Sequence, residues 1–165
     1  MKFCLRITLE SEEDVVREIE INSGILLSDL HYFIIEVFGL DNKELASFYT
    51  VDNELELIEE IPLFSFEEHT PSMENIKLNS LLIEKMDKLL YVFDYMKMWR
   101  FLVELVAIEK DFIEKKCTFQ IGEIPNEAPE IIFSKEKEND FNLFGNEIDE
   151  SEIDESQIND GAPED

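Results

Sequence analysis

Histidine is almost missing from this chain: there are two in 165 residues, His31 and His69. Cysteine is equally scarce, with Cys4 and Cys117 far apart. Structural zinc takes four Cys or His ligands, usually in short-spaced pairs, and these isolated residues offer no such set. One cysteine pair is no disulfide framework, so reduced thiols in a cytoplasmic protein are expected. The five glycines are scattered, which excludes a glycine-rich phosphate loop. No long apolar run occurs either. The longest, Phe101–Ile108, is broken by Glu104, whereas a membrane span needs about 20 apolar residues. Positive charge is short too, with 14 Lys and Arg against 40 Asp and Glu, a formal net of −26. Such a field repels nucleic-acid phosphates and anionic membranes. The partner it favours is a basic or neutral protein surface. The opening residues MKFCLRITLE alternate polar and apolar, unlike the apolar core of a secretory signal, and none is expected.

What is present suits a packed core. The chain is 44% apolar, and thirteen Phe outnumber one Trp and four Tyr, giving aromatic bulk with few polar tips to satisfy. The pattern predicts one α+β domain over residues 1–135 and an acidic, disordered tail over 136–165. Phe3, Leu5, Ile7 and Leu9 alternate with polar residues, the mark of a half-buried strand. Ser11-Glu12-Glu13-Asp14 reads as a hairpin loop before a second strand at Val15–Ile21. Leu27, Leu30, Ile34 and Phe38 fall at helical spacing, and Gly39 suits the position after a helix. Leu45–Val51 and Leu55–Leu63 read as strands. A polar loop covers Ser65–Asn75, and a short helical turn is expected at Leu78–Leu82. Leu89–Tyr95 and Trp99–Glu109 form a hairpin. Both faces of its second strand are mostly apolar, as in a central strand. Cys117–Ile121 is the last short strand.

From Asn139 onward there are ten carboxylates and no Lys or Arg. Glu147-Ile148-Asp149-Glu150-Ser151 is followed by Glu152-Ile153-Asp154-Glu155-Ser156. A five-residue period spreads the isoleucines around a helix, so they make no stripe, and too few apolar groups are present to offset the ordering entropy.

The stretch Lys88–Glu109, KLLYVFDYMKMWRFLVELVAIE, resembles the strand–turn–strand signature of the plasmid pRiA4b ORF-3-like family. That family typically shows Tyr-x-Tyr-Asp-Phe-Gly-Asp-x-Trp before an alternating strand. Tyr91, Phe93, Asp94, Tyr95 and Trp99 occupy the matching places. The resemblance runs from about Lys2 to Glu109, through the second strand with Arg17 and a helix with Leu30-His31 and Phe38-Gly39. A fainter echo continues at Cys117, Gly122-Glu123 and Ala128-Pro129-Glu130. The chain departs from the pattern at Met96 for the Gly, Lys97 for the second Asp and Phe101 for a His. The resemblance implies a β-grasp-like mixed sheet with a helix on one face. It implies no biochemical activity.

No catalytic, cofactor or metal set emerges from the residues. His31 lies in the predicted helix, where packing or capping is the plainer role. Cys117 follows Lys115-Lys116, but no base accompanies it. Asp94 in an apolar hairpin is either a functional acid or, as favoured here, an acceptor fixing the turn. Trp99 is expected to anchor the core. The leading expectation is a non-enzymatic protein-interaction module. Its candidate contacts are the tail's apolar residues Phe141, Phe144, Ile148, Ile153 and Ile158, together with Leu143. The alternatives are a small hydrolase or transferase built on Asp94, His31 or Cys117, and an acidic nucleic-acid mimic.

Overall fold

The computed structural model describes residues 1–112 and 114–129. The expected tail, its apolar residues Phe141, Phe144, Ile148, Ile153 and Ile158, and the boundary at residue 135 lie outside the described residues.

The α+β expectation holds, with the balance toward β. Among the described residues, seven strands, β1 (Lys2–Leu9), β2 (Val16–Asn22), β3 (Ala46–Val51), β4 (Leu57–Pro62), β5 (Lys88–Phe93), β6 (Trp99–Glu109) and β7 (Lys116–Ile121), accompany one helix, α1 (Leu27–Phe38). They form one sheet in the order β4-β3-β5-β6-β1-β2-β7. A short 3-10 turn spans Leu78–Ser80.

A mixed sheet was expected, but every pairing among these strands is antiparallel. The reason is the path of residues 63–87. This connector returns beside the start of α1, where Leu27 N–H donates to Ile76 O at 2.9 Å and Leu78 N–H donates to Ile25 O at 2.8 Å. β5 therefore leaves on the far side of β3 in the same direction as β4, and its hairpin partner β6 meets β1 running the opposite way.

The alternating residues of β1 put Phe3, Leu5, Ile7 and Leu9 into the core, against α1. β6 adds Trp99, Phe101, Val103 and Leu105, and β5 adds Leu89, Tyr91 and Phe93. α1 buries Leu27, Leu30, Phe33, Ile34 and Phe38 on the same side. At its start, Leu26 has no capping side chain of its own, and the Asp29 carboxylate accepts the Leu26 N–H at 3.1 Å. At its end Gly39 takes φ 70, the left-handed conformation a Cβ disfavours. Leu40 N–H then reaches Ile35 O at 3.0 Å.

Arg17 projects onto this helix face and is buried. Its Nε donates to Val37 O at 3.0 Å, and its Nη1 donates to Val16 O at 2.9 Å and Ile121 O at 3.0 Å. The guanidinium also lies 4.8 Å from the Phe38 ring centroid. A cation among the carbonyls that end a helix is favourably placed, and here it also ties the end of β7 to α1. Gly122 follows at φ 73; a Cβ there would meet the Asp14 carbonyl oxygen at 2.1 Å. The β1–β2 loop and the end of β7 are thus in direct backbone contact.

The opposite face carries a row of directly opposed residues, Glu60, Tyr49, Leu90, Leu102, Thr8, Val16 and Ile121, one from each strand. Beside it, Arg100 Nε pairs with Glu10 Oε2 at 2.8 Å, with both side chains largely buried. Leu102, in this row, lies on the apolar second face expected for β6.

Candidate functional site

The signature residues build a turn and part of the core in this chain. Asp94 sits at φ 63 where β5 ends. Its N–H donates to Leu45 O at 2.8 Å, and its Oδ1 accepts Met96 N–H at 3.0 Å and Lys97 N–H at 3.3 Å. An Asx turn of this kind stops the strand two residues before the expected Tyr95. Met96 is absent from the positive-φ residues, so the turn does not need the family's glycine there. Trp99 is buried opposite Phe93. Tyr95 folds back over β3; its hydroxyl lies 2.6 Å from Ser47 Oγ and donates to Ala46 O at 3.1 Å. Asp94→Ala removes the acceptor and keeps the unfavourable φ, and should cost about 1–2 kcal/mol. Asp94→Asn keeps both the acceptor and a tolerance of left-handed φ and should cost under about 0.5 kcal/mol. Urea titration of both variants checks the difference.

Tyr91 and His31 meet inside the core. His31 is fully buried, with Nδ1 2.7 Å from the Tyr91 hydroxyl oxygen. Nε2 has no partner among the described residues. If the tyrosine hydroxyl donates to Nδ1, only the Nε2 N–H is left unmatched. The other tautomer strands both the phenolic hydrogen and the Nε2 lone pair, so the first is favoured. Burial lowers the His31 pKa to about 4 and pushes the Tyr91 hydroxyl well up. Phe101, where relatives were expected to carry His, lies in the same core, with ring centroids 4.8 Å from Phe38 and 5.8 Å from Tyr91.

Asp94, His31 and Cys117 are not brought together. Asp94 follows β5, Cys117 is on β7, and four strand-to-strand steps separate those elements, about 19 Å at ordinary spacing. His31 is sealed between α1 and the sheet.

Cys4 has neighbours that the sequence did not suggest. Cys4 Sγ and one carboxylate oxygen each from Glu20 and Glu109 lie within 4.8 Å of one another, as metal ligands would. Lys2 Nζ already bridges the two carboxylates, at 3.2 Å to Glu20 and 2.6 Å to Glu109, and Lys116 Nζ reaches Glu20 at 3.3 Å. Burial, then the charges of Glu109 and Glu20, push the Cys4 thiol pKa up. Partial burial works to raise the Glu20 carboxyl, yet Lys2 and Lys116 hold it below its ordinary range. Hydrogen bonding to Glu109 leads the rise in the Lys2 pKa. A cation would have to displace Lys2 and deprotonate the thiol, so this is an ion-pair network tying β1, β2, β6 and β7 together.

The two sheet edges differ. β4 exposes Leu57 and Ile58 but carries Glu59 and Glu60 and ends in Pro62. Charge and a missing N–H are the usual guards of an edge strand. Among the described residues β7 pairs with β2 alone, and all six of its residues are exposed. Residues 117–121 carry no charge and no proline, and Phe119 and Ile121 project on the face opposite α1, beside Glu18 and Val16. In a chain with 40 acidic residues, five successive uncharged residues on an outer strand stand out. Beside its lead-in, Ile21, Ile25, Tyr32, Phe33 and Phe112 line a groove of about 520 Å³, with Asp29, Glu114 and Lys115 also in its wall.

The comparisons with known proteins concern the fold. The family model described as plasmid pRiA4b ORF-3-like protein matches residues 2–130. The crystal structure of a protein of unknown function from Methanosarcina mazei Go1 is similar, with a TM-score of 0.59 at 20% identity, over 72% of this chain and 68% of that one. No curated protein matches. Among the described residues no helix is long and apolar enough to cross a membrane.

Proposed function

The chain belongs to the plasmid pRiA4b ORF-3-like family, and from that premise we propose that it is a non-enzymatic protein-interaction module that adds an extended segment of a partner to the outer edge of β7, which pairs with β2 alone among the described residues. The observation that carries this reading is the contrast between the edges: β4 is guarded by Glu59, Glu60 and Pro62, and β7 is exposed and uncharged from Cys117 to Ile121. Strand addition draws its affinity from main-chain hydrogen bonds and its selectivity from alternate side chains. Phe119 and Ile121 supply that alternation on one face. The ββα opening followed by β3–β6 is read as a β-grasp-like frame whose hairpin has gained β7 as an outer strand. The acidic stretch beyond residue 135, with Phe141, Phe144, Ile148, Ile153 and Ile158, is a second contact that steers a basic partner from a distance. The same reading takes the protein as cytoplasmic and without a cofactor.

Phe119→Lys tests the reading, because Phe119 is half exposed and a lysine on an edge strand discourages pairing. Affinity capture from the native cell, at low and at high salt, is run with the native chain and the variant. Partners held by the native chain should be lost from the variant while its circular dichroism stays unchanged. Identical partner sets would sink the reading.

A further inference from the structure

We infer that the groove beside β7 is the anchor pocket of the same interaction surface, and that its occupant is an aromatic side chain of an extended peptide flanked by Lys or Arg. The inference rests on the strand-addition reading above and adds to it the chemistry of the partner. Phe112, Glu114 and Lys115 line the groove and lead directly into Lys116, the first residue of β7. A strand laid along the outer edge of β7 and continued past Lys116 therefore runs toward the groove. Its apolar lining is Ile21, Ile25, Tyr32, Phe33 and Phe112. Pockets that bind small ligands occupy roughly 300–1,000 Å³, so about 520 Å³ has room for a large aromatic group with an aliphatic neighbour. Tyr32 is half exposed at the rim, offering an apolar ring with a polar tip, as at interface anchors.

The charges select the flanks. Among the described residues Lys115 is the only cation of the groove wall, and it is already engaged. Its Nζ lies 4.9 Å from the Phe33 ring centroid and 3.8 Å from Glu36. Lys116, next along, pairs with Glu20. Asp29 and Glu114 remain in the wall, and Glu123 and Glu127 follow β7. Neither Glu114, Glu123 nor Glu127 has an ion-pair partner among the described residues. An acidic peptide would meet carboxylates at both ends of the strand. A second copy of this chain would bring a further net charge of −26, which disfavours self-association.

The test uses the full chain and two synthetic peptides. One is Lys-Lys-Phe-Thr-Val-Thr-Val-Thr-Lys-Lys; the other replaces each Lys by Glu. Binding is read by fluorescence anisotropy, and the amides of residues 116–121 by hydrogen exchange. The Lys-flanked peptide should bind at least tenfold more tightly than the Glu-flanked one and should protect the β7 amides. Phe112→Ala should weaken it about tenfold, and should leave unchanged the affinity of a peptide whose Phe is replaced by Ala. Glu114→Lys should narrow the preference for Lys flanks. If the β7 amides are protected but Phe112→Ala and Glu114→Lys have no effect, the groove inference is overturned and strand addition stands. If neither peptide protects these amides, both readings fall. Concentration-dependent protection without peptide would make the occupant a second copy and overturn the inference.

Discussion

Between pH 6.5 and pH 4 the fold should lose roughly 3 kcal/mol of stability through one side chain, His31. Its pKa is lowered to about 4 by burial in the folded protein, against about 6.5 for a solvated imidazole. In that window the unfolded chain holds a proton that the folded one refuses. The unfolded state therefore binds more protons, and unfolding becomes easier as pH falls. Above about pH 6.5 the contribution is constant, and below about pH 4 both states are protonated and it is fully lost. A tenfold difference in proton affinity between the two states is worth about 1.4 kcal/mol, which sets the size. Carboxylates titrate in the same range, so the quantity to measure is the difference between the native chain and His31→Gln. Urea midpoints at several pH values between 7 and 4 give that difference. It should decline steadily by about 3 kcal/mol. A flat difference would mean that the imidazole gains a proton as readily folded as unfolded, and that its burial against Tyr91 is not what the distances describe.

The other large effect belongs to Phe101. Phe101→Ala should cost about 3–5 kcal/mol, the usual range for removing a buried phenylalanine ring. The residue is fully buried in β6, and its ring lies between Phe38 of α1 and Tyr91 of β5. The rigid sheet under it cannot collapse into the space. Phe101→Leu, which keeps most of the volume, should cost less than half as much. Equilibrium denaturation should show a lower midpoint with the same slope, since the surface exposed on unfolding hardly changes. A loss below about 1 kcal/mol for the alanine variant would contradict the packing described.

The limits of α1 and β6 were legible in the residues, because helical spacing ending at Gly39 and alternation starting at Trp99 are local signals. The end of β5 was misjudged by two residues. The left-handed turn at Asp94 is set by its own side chain and by Leu45, which is distant in sequence. Strand order was not legible. Nothing local in β4 or β5 says that both flank β3, or that β7 closes the sheet beyond β2. Arg17 shows the same limit: one charged residue on an apolar face reads as an exception until the Val37 and Ile121 carbonyls are seen around it. The signature Tyr91, Asp94, Tyr95 and Trp99 is legible in the residues, and here it builds a turn and part of the core. The candidate surface went unseen because an edge is a property of the whole sheet. Cys117–Ile121 reads as a short strand, but only its pairing with β2 alone among the described residues makes it an edge.

β7 has a kinetic character that follows from its exposure. It buries no side chain, so among the described residues its hold on the molecule is a ladder of main-chain hydrogen bonds, the Arg17 bond to Ile121, the Thr118 hydroxyl bond to Glu18 O, the Lys116–Glu20 ion pair and the Gly122 seat against Asp14. Elements with little buried apolar contact open locally at a fraction of the free energy of global unfolding. β7 can therefore peel from β2 and reclose many times while α1 and the inner strands stay intact. An incoming strand would meet it in both states, and each added hydrogen bond on the outer side would lengthen the closed intervals. The outermost strand would then be at once the loosest of the seven described strands and the one most rigidified by capture.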